Sequence, residues 1–218
     1  MIPFTRIIIY ANKAPIPPMY SAPFVMHASD GFVDLATPSR TITLTNTPTI
    51  STTQFLPGQH SSYGFTSGFI TIPTAQITDL NIGKASGDFT IEYYAYIINA
   101  ASNYWYLSSG TGVTSDIKIF SGTLYLQGRT KGASASTATI PVGRWTHYAL
   151  VQDGTNIRWY MDGKLSMTVT GDRWGDVNTP LRIGGYELVS NGYYDQIRIT
   201  NSALYSGATI TMPAYPLM

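Results

Sequence analysis

The sequence predicts an all-β protein: a two-sheet antiparallel β-sandwich or jelly roll, preceded by an extended N-terminal arm. The stretch from Trp145 to Lys164 contains two short runs rich in Trp, Tyr, Ile and Val, each followed by Asp-Gly. Asp-Gly after such a run is the strongest short-range signal of a β-hairpin. Further short apolar runs recur with turn residues about every eight to twelve positions, and no amphipathic helix appears, which is typical of sandwiches and jelly rolls.

The composition limits the classes of function. The 218 residues suffice for one large all-β domain. Charged residues make up 11% and the formal net charge is +1, so no strong field exists to attract nucleic acid or an anionic membrane. No apolar stretch is long enough for a membrane span and no signal peptide is recognised. The chain has no Cys, which excludes disulfides and thiolate zinc sites.

Residues 1–23 are expected to form an extended, proline-rich arm, and residues 24–218 the sandwich. Prolines in this arm disfavour helix and favour a polyproline conformation; they are Pro15, Pro17, Pro18 and Pro23. An apolar run precedes them, made of Ile7, Ile8, Ile9 and Tyr10. Left exposed, this run would promote aggregation, so we expect it to pair with a sheet edge of the same chain or of a neighbour.

The predicted strands follow in chain order. Alternating Thr and Ile predict half-exposed strands at 41–45 and 49–51. Residues 74–87 predict a loop with one helical turn, whereas 89–98 is apolar on both faces, as in the central strand of a sandwich. The remaining strands are predicted at 68–72, 104–107, 116–120, 123–127, 145–152, 156–161, 164–170, 181–183 and 193–200.

Five short motifs occur in an order that resembles a known family. They are G-D-F-T-I-E from Gly87, W-T-H from Trp145, Y-M-D-G from Tyr160, I-G-G from Ile183 and G-Y-Y-D-Q-I-R-I from Gly192. This pattern resembles the laminin-G-like branch of the concanavalin A-like lectin/glucanase superfamily, over residues 28–216. The resemblance implies the concanavalin A-like sandwich but leaves the function open, because this fold hosts lectins, glucanases, adhesion modules and virion proteins.

The form of the motifs is similar to copies found in tailed-phage structural proteins. Those copies end in a G-x-x-D-x-x-R-I-T strand, a short A-L-Y-like segment and a tail with proline, as at 192–200, 203–205 and 212–216 here. The resemblance therefore implies a virion protein, made in the host cytoplasm.

The residues that hydrolytic chemistry needs are missing from the sequence. Glucanases of the superfamily carry E-x-D-x-x-E on one strand, to supply a paired acid and nucleophile. Glu92 and Glu187 are the only glutamates, and neither has a carboxylate two residues away. The histidines lack metal-ligand spacing, and neither a G-x-S-x-G elbow nor a phosphate-binding loop occurs. We expect no enzymatic activity and no cofactor.

Two polar residues lie on apolar strand faces. By alternation Asp195 shares a face with Tyr193 and Ile197, and His147 shares one with Trp145. If these faces point inward, both polar side chains are buried and need hydrogen bonds. An alternative gives Asp195 a structural calcium, as in related sandwich enzymes, but calcium prefers six to eight oxygens and no acidic cluster surrounds Asp195. We expect no metal, with Asp195 as the only candidate.

A sugar site would need an exposed aromatic side chain beside polar groups. Trp174 lies in a polar loop with Asp172 and Arg173, and Tyr186 follows in a second loop. These four residues are the candidate ligand-binding set. In the alternative, Trp174 folds back over the open end of the sandwich.

Together these patterns predict a non-enzymatic structural protein of a phage particle, a head decoration or a tail or fibre component. It would attach through its arm and a sheet surface to other virion proteins and form a homo-oligomer, without binding nucleic acid or inserting into a membrane. The alternative function is a carbohydrate-binding or host-receptor-binding module that contacts surface glycans.

Overall fold

A computed structural model describes residues 22–36, 38–100, 104–109, 115–120, 122–185 and 190–213. Residues 1–21, with Ile7, Ile8, Ile9 and Tyr10, lie outside the described residues, as does Tyr186. The described residues form three 3-10 turns, Ala28–Asp30, Thr74–Gln76 and Thr78–Leu80, where the sequence predicts one turn in 74–87. They also form fifteen strands: β1 Phe24–Met26, β2 Thr43–Asn46, β3 Thr49–Ser51, β4 Ser62–Gly64, β5 Gly68–Ile72, β6 Phe89–Ile97, β7 Tyr104–Ser109, β8 Ser115–Phe120, β9 Thr123–Gln127, β10 Ser134–Ala135, β11 Trp145–Asp153, β12 Asn156–Met161, β13 Lys164–Thr170, β14 Leu181–Ile183 and β15 Gly192–Thr200.

The strands make two antiparallel sheets, which confirms the predicted sandwich. Sheet A has the order β13-β12-β11-β6-β15-β4-β3, with β1 also paired to β15. Sheet B has the order β10-β9-β8-β7-β14-β5-β2. Strands β6 and β15 lie side by side, and the crossovers between distant strands give the jelly-roll topology.

The predicted three-strand meander is present as β11, β12 and β13. At the second hairpin, Asp162 (φ 46°) and Gly163 (φ 73°) both adopt the left-handed conformation that a tight turn requires. At the first hairpin the two turn residues are Gly154 and Thr155 instead, because Asp153 is the last residue of β11 and pairs with Asn156. An Asp-Gly pair therefore occurs at both turns, but only in the second turn are Asp and Gly the two turn residues.

The core between the sheets contains a row of stacked aromatic rings. Tyr194, Tyr93, Tyr148 and Trp159 come from four adjacent strands of sheet A, with successive ring centroids 5.0, 5.7 and 5.5 Å apart. All four side chains are buried. Aromatic pairs at such distances stabilise a core by about 0.5–1.5 kcal/mol each beyond their area burial, so this row fixes the centre of sheet A.

A β-bulge in β15 overturns one expectation from the sequence. Simple alternation places Tyr194 and Ile197 on opposite faces, yet both lie in the core cluster. The register against β6 shifts between Asp195 and Arg198, and Gln196 adopts a left-handed φ of 56°. The extra residue reverses the alternation, so that Asp195 faces away from the core while Ile197 faces into it.

The C-terminal segment, residues 201–213, lies across the outer face of sheet A. The Tyr160 hydroxyl donates a hydrogen bond to the carbonyl of Gly207, and the Tyr94 hydroxyl donates one to the carbonyl of Pro213. Beneath the segment is a second apolar cluster, formed by Ala149, Val151 and Tyr160 with Leu165, Ala203, Tyr205 and Ile210. This cover explains why β6 is apolar on both faces. Within the described residues, no helix has the length and hydrophobicity that a membrane crossing requires.

Candidate functional site

A buried cluster of ionisable side chains lies under the C-terminal segment. Glu92 Oε1 accepts hydrogen bonds from the Arg198 guanidinium. Its Oε2 lies 3.1 Å from His147 Nε2 and 2.9 Å from the Tyr205 hydroxyl, both of which donate to it. Glu92, His147 and Arg198 project from three adjacent strands, β6, β11 and β15, whose other faces form the core.

This cluster holds Glu92 as an anion. Burial alone would raise the pKa of the Glu92 carboxyl, but the hydrogen bond from His147 and the charge of Arg198 hold it below its usual range. Both carboxylate oxygens are occupied, and the side chains of Glu92 and His147 are 3% and 1% exposed. His147 is buried and hydrogen-bonded, as the sequence suggests, but it lies on the outer side of sheet A rather than in the core, because the C-terminal segment covers it.

Asp195 is also buried on the side of the sheet away from the core, and its carboxylate accepts hydrogen bonds from the backbone. Its Oδ1 accepts hydrogen bonds from the backbone nitrogens of Ala28, at 3.0 Å, and Gln196, at 2.8 Å. Burial raises the pKa of Asp195 to about 6, against the opposing effect of these bonds. Asp195 thus ties the turn after β1 to the bulge in β15. The described residues contain no group of three or more His, Asp or Glu side chains that could hold a metal ion.

The structure places Trp174 inside the protein. Its side chain is 0% exposed, belongs to the main core cluster and packs with its ring centroid 6.3 Å from that of Phe89. The expectation of an exposed aromatic platform at this position is wrong, and the alternative, in which Trp174 folds back over the sandwich, describes its position. Its backbone nitrogen donates to Gln152 Oε1 at 2.7 Å, which fixes the loop.

Asp172 and Arg173 connect the loops around Trp174. The Asp172 carboxylate accepts hydrogen bonds from the backbone nitrogens of Thr130, Lys131 and Arg173. Burial opposes ionisation, but these bonds lower the pKa of Asp172 below its usual value. The Arg173 guanidinium donates to the carbonyls of Lys84, Gly154 and Gly87. The two side chains line a shallow pocket of about 300 Å³, but most of their hydrogen-bonding capacity already holds the loops together.

The outer face of sheet B carries a continuous polar row. Its residues alternate with core residues such as Ile70, Ile183 and Ile117, so they point away from the core. At about 4.8 Å per strand, six strands give this row a length of roughly 24 Å. In strand order the row consists of Thr43, Thr71, Arg182, Ser108, Asp116 and Gln127.

A groove occupies one end of this polar row. It has a volume of about 530 Å³ and opens to solvent. Hydroxyl groups and a guanidinium lie around an aromatic side chain and two prolines; the lining residues are Thr43, Thr45, Phe69, Thr71, Pro73, Thr74, Pro180 and Arg182. A concave surface that combines apolar area with a few convergent polar groups is typical of small-molecule sites.

Asp116 lies further along the same row and is nearly buried, with 4% of its side chain exposed. Its Oδ2 is 3.3 Å from Lys118 Nζ, while Oδ1 has no hydrogen-bond partner in the described part of the chain. Burial raises the pKa of Asp116 to about 6, although Lys118 opposes the shift. Across the strands it faces Ser108 and Gln127, so no second carboxylate is its cross-strand neighbour.

The groove is not evident from the sequence, because its residues come from three strands that are distant in the chain. Thr43 and Thr71 are separated by 28 positions, and Arg182 by another 111. The Thr alternation at 41–45 indicates a polar strand face, but only the β2-β5-β14 order shows that Arg182 lies beside it. Ligand binding by Asp172, Arg173, Trp174 and Tyr186 stays a prediction.

The chain is a β-sandwich in which the C-terminal segment lies on the outer face of sheet A and a groove opens at one end of the outer face of sheet B. It belongs to the concanavalin A-like lectin/glucanases superfamily: the profile of its laminin G type matches residues 67–208. No curated protein sequence matches the chain closely enough to count as a relative.

Solved structures with the same fold include the binding domain of botulinum neurotoxin serotype D/C, at 12% identity and a TM-score of 0.62. The match covers 85% of this chain and 50% of that one, so the chain spans about half the length of the toxin binding domain. Domain 4 of AbnA, an extracellular arabinanase from Geobacillus stearothermophilus, was solved with arabinotriose. It is 14% identical, with a TM-score of 0.59 and coverage of 85% and 94%. At these identities the similarity establishes the fold alone.

Proposed function

We propose that this chain is a non-enzymatic binding module that recognises glycans through the groove on the outer face of sheet B. The observation that carries the proposal is the contrast between the two sheets. The C-terminal segment occupies the outer face of sheet A, whereas the outer face of sheet B presents an open groove of about 530 Å³.

The chemistry of the groove suits a sugar. The hydroxyls of Thr43, Thr45 and Thr71 both donate and accept hydrogen bonds, as sugar hydroxyls do. Arg182 adds a planar group with several donors, and Phe69 and the two prolines supply apolar area for the faces of a sugar ring. The groove has no carboxylate in its lining, so it does not repel an acidic sugar.

The carboxylates of the described residues support binding rather than hydrolysis. A glycoside hydrolase needs two carboxyl groups on opposite sides of the scissile bond. Both oxygens of Glu92 are occupied inside the covered cluster, and Asp116 faces Ser108 and Gln127 across the strands. The proposed module therefore holds its ligand without transforming it.

The similar structures agree with a binding role. One of them belongs to botulinum neurotoxin type C, whose cell entry depends on interaction with two ganglioside molecules, and its chain matches at a TM-score of 0.60. The arabinanase domain was solved in complex with arabinotriose. In both cases a carbohydrate-bearing ligand accompanies this fold, although each interaction is a property of that protein.

A glycan array followed by titration calorimetry tests the proposal. We expect the full chain to bind at least one oligosaccharide, and Arg182→Ala to weaken that binding about 10-fold or more, because a hydrogen bond to a charged group contributes roughly 1.5–3 kcal/mol. Arg158→Ala is the matched control, since Arg158 lies on sheet A and pairs with Asp153. A blank array, or equal losses in both variants, would reject the groove as the site.

We further propose that the module acts as a structural component of a phage particle, either a head decoration or a tail or fibre component. The supporting observations are the similarity of segments 192–200, 203–205 and 212–216 to tailed-phage proteins, the low charge and the proline-rich arm. In this proposal the arm attaches the module to other virion proteins or to further copies, and sheet B faces outward to host glycans.

Deletion of the arm tests the particle role. Ala22 is 5% exposed and the Pro23 carbonyl accepts a hydrogen bond from Arg40, so the deletion should end at residue 21. We expect the shortened chain to fold, judged by circular dichroism, but to be absent from purified particles by mass spectrometry. Incorporation at the normal level would contradict the role of the arm.

A further inference from the structure

One segment forms the outer edge of both sheets. Strand β2 is the last strand of sheet B and β3 is the last strand of sheet A. Only Thr47 and Pro48 separate them, and Asn46 adopts a left-handed φ of 57° at the corner. The segment 43–51, which we call the shared edge, therefore presents a row of backbone groups on one side of the sandwich.

The two opposite edges are protected in ways that the shared edge is not. Strand β13 is covered by the C-terminal segment: Leu165 donates a backbone hydrogen bond to Ala208, and Ile210 donates one to Gly163. Strand β10 has only two residues, which leaves little edge to pair with. Covering an edge and shortening it are two common ways by which proteins prevent strand addition.

The shared edge also lacks charge. No Asp, Glu, Lys or Arg occurs anywhere from Thr41 to Thr78, a stretch that includes both edge strands. Two large apolar side chains of the edge are exposed, Leu44 at 45% and Ile50 at 38%. An uncharged edge with alternating Thr and Ile and exposed apolar side chains is a template for another strand.

We propose that residues 4–10 of one copy of this chain add as a strand to β2 of a second copy. The segment F-T-R-I-I-I-Y has the aromatic and β-branched composition of a strand. Its apolar side chains would pack on Leu44, while main-chain hydrogen bonds extend sheet B. This inference rests on the proposed attachment through the arm and names the edge and the partner for it.

The length of the connecting segment favours a second copy over the same chain. Residues 11–23 contain four prolines. In a polyproline conformation these thirteen residues extend about 40 Å, at roughly 3.1 Å per residue, and keep their direction over several residues. By contrast, the spacing between stacked sheets is about 10 Å, and each step between strands is about 4.8 Å. A spacer of this length is long enough to reach past the edge of its own sandwich to a second copy.

Chemical cross-linking of the full chain tests the proposal directly, because the natural sequence has no Cys. A tagged copy with Ile8→Cys is mixed with an untagged copy with Leu44→Cys, and a short bismaleimide is added. We expect a cross-linked heterodimer in good yield. Val142→Cys replaces Leu44→Cys in the control, since Val142 is 49% exposed and the adjacent Gly143 is hydrogen-bonded to Ile97 of β6, three strands from β3; this pair should give at least 10-fold less product.

The outcomes separate this inference from the broader proposals. Leu44→Lys should abolish self-association in analytical ultracentrifugation, whereas Val142→Lys should not, and both should bind glycans as the natural chain does. A cross-link formed only within one chain by the double variant Ile8→Cys/Leu44→Cys would overturn the second-copy partner. Self-association that is lost on deletion of residues 1–21 but kept in Leu44→Lys would overturn the edge and leave the arm's role intact.

Discussion

The outer faces of the two sheets differ: the C-terminal segment lies across one of them, and the other carries a groove. Sheet A has a buried ionic cluster on its outer side, in which Glu92 accepts hydrogen bonds from Arg198, His147 and Tyr205 beneath the C-terminal segment. Sheet B has a polar row with an open groove at one end, and its one nearly buried carboxylate, Asp116, has an oxygen with no partner among the described residues. Both oxygens of the Glu92 carboxylate are hydrogen-bonded on sheet A, whereas sheet B offers a groove that opens to solvent.

This difference shows how a fold with two similar sheets can leave a groove on only one of the two outer faces described here. Burying a charged cluster is costly unless each charge is paired; Arg198 pairs with Glu92, and the C-terminal segment adds the Tyr205 hydroxyl as a further donor. The same segment covers sheet A and, by pairing with β13, closes its edge. On sheet B the end of the polar row at Thr43, Thr71 and Arg182 stays open to solvent as a groove, whereas Ser108, Asp116 and Gln127 are buried.

The largest expected effect comes from breaking the cluster of sheet A. Glu92→Ala leaves the Arg198 charge and the donors of His147 and Tyr205 buried without an acceptor, and should lower the free energy of unfolding by about 3–5 kcal/mol. Urea denaturation measures it. Asp153→Ala is the control, because Asp153 is 37% exposed in its pair with Arg158 and should cost about 1 kcal/mol or less. Equal losses would contradict the account.

Replacing the buried carboxyl group on each face should change the free energy of unfolding with pH in opposite directions. The folded pKa of Asp116 is about 6, above its unfolded value near 4, so the fold favours the neutral form. That stabilisation is complete below pH 4 and lost as the pH rises through 6. Asp116→Asn should therefore match the natural chain near pH 4 and exceed its stability by about 2–3 kcal/mol at pH 7.

Glu92→Gln provides the comparison for this pH dependence. The pKa of Glu92 is lowered in the fold, so its contribution is present above pH 4–5 and is lost as the pH falls through the folded value. The deficit of the Gln variant should shrink toward low pH, whereas the advantage of Asp116→Asn should grow toward high pH. Thermal unfolding between pH 3 and pH 8 measures both, and parallel curves would refute the contrast.

A smaller effect should separate two hydroxyls that hold the C-terminal segment. The Tyr205 hydroxyl donates to a carboxylate, whereas that of Tyr160 donates to the neutral carbonyl of Gly207. Tyr205→Phe should cost about 2 kcal/mol and Tyr160→Phe about 1 kcal/mol, because hydrogen bonds to charged groups are stronger. Differential scanning calorimetry resolves this order, and the reverse order would show that the cluster does not anchor the segment.

The sequence predicts the positions of the strands better than it predicts which way their side chains point. The Asp-Gly pairs locate the two turns between β11 and β13, and Phe89–Ile97 is recognised as central because both of its faces are apolar. Local patterns suffice here, since turn chemistry and alternation act over a few residues. The bulge at Gln196 is different: it depends on pairing with β6 and β1, and it reverses the expected orientation of Asp195.

The candidate site is predicted less well, for a related reason. A Trp in a polar, glycine-bracketed loop has the composition of an exposed sugar platform, yet Trp174 lies in the core because Asp172 and Arg173 tie the loop inward. The groove depends on three strands that are brought together only by the sheet order. Neither the cover on sheet A nor the opening on sheet B can be derived from local patterns.

Hydrogen–deuterium exchange of the full chain, with and without the oligosaccharide that binds best on the array, tests the central claim most directly. We expect this ligand to protect backbone amides of Thr43–Asn46, Gly68–Ile72 and Leu181–Ile183, and to leave those of Phe89–Ile97 and residues 201–213 unchanged. Protection confined to the strands or the C-terminal segment of sheet A would contradict the claim that sheet B is the binding face.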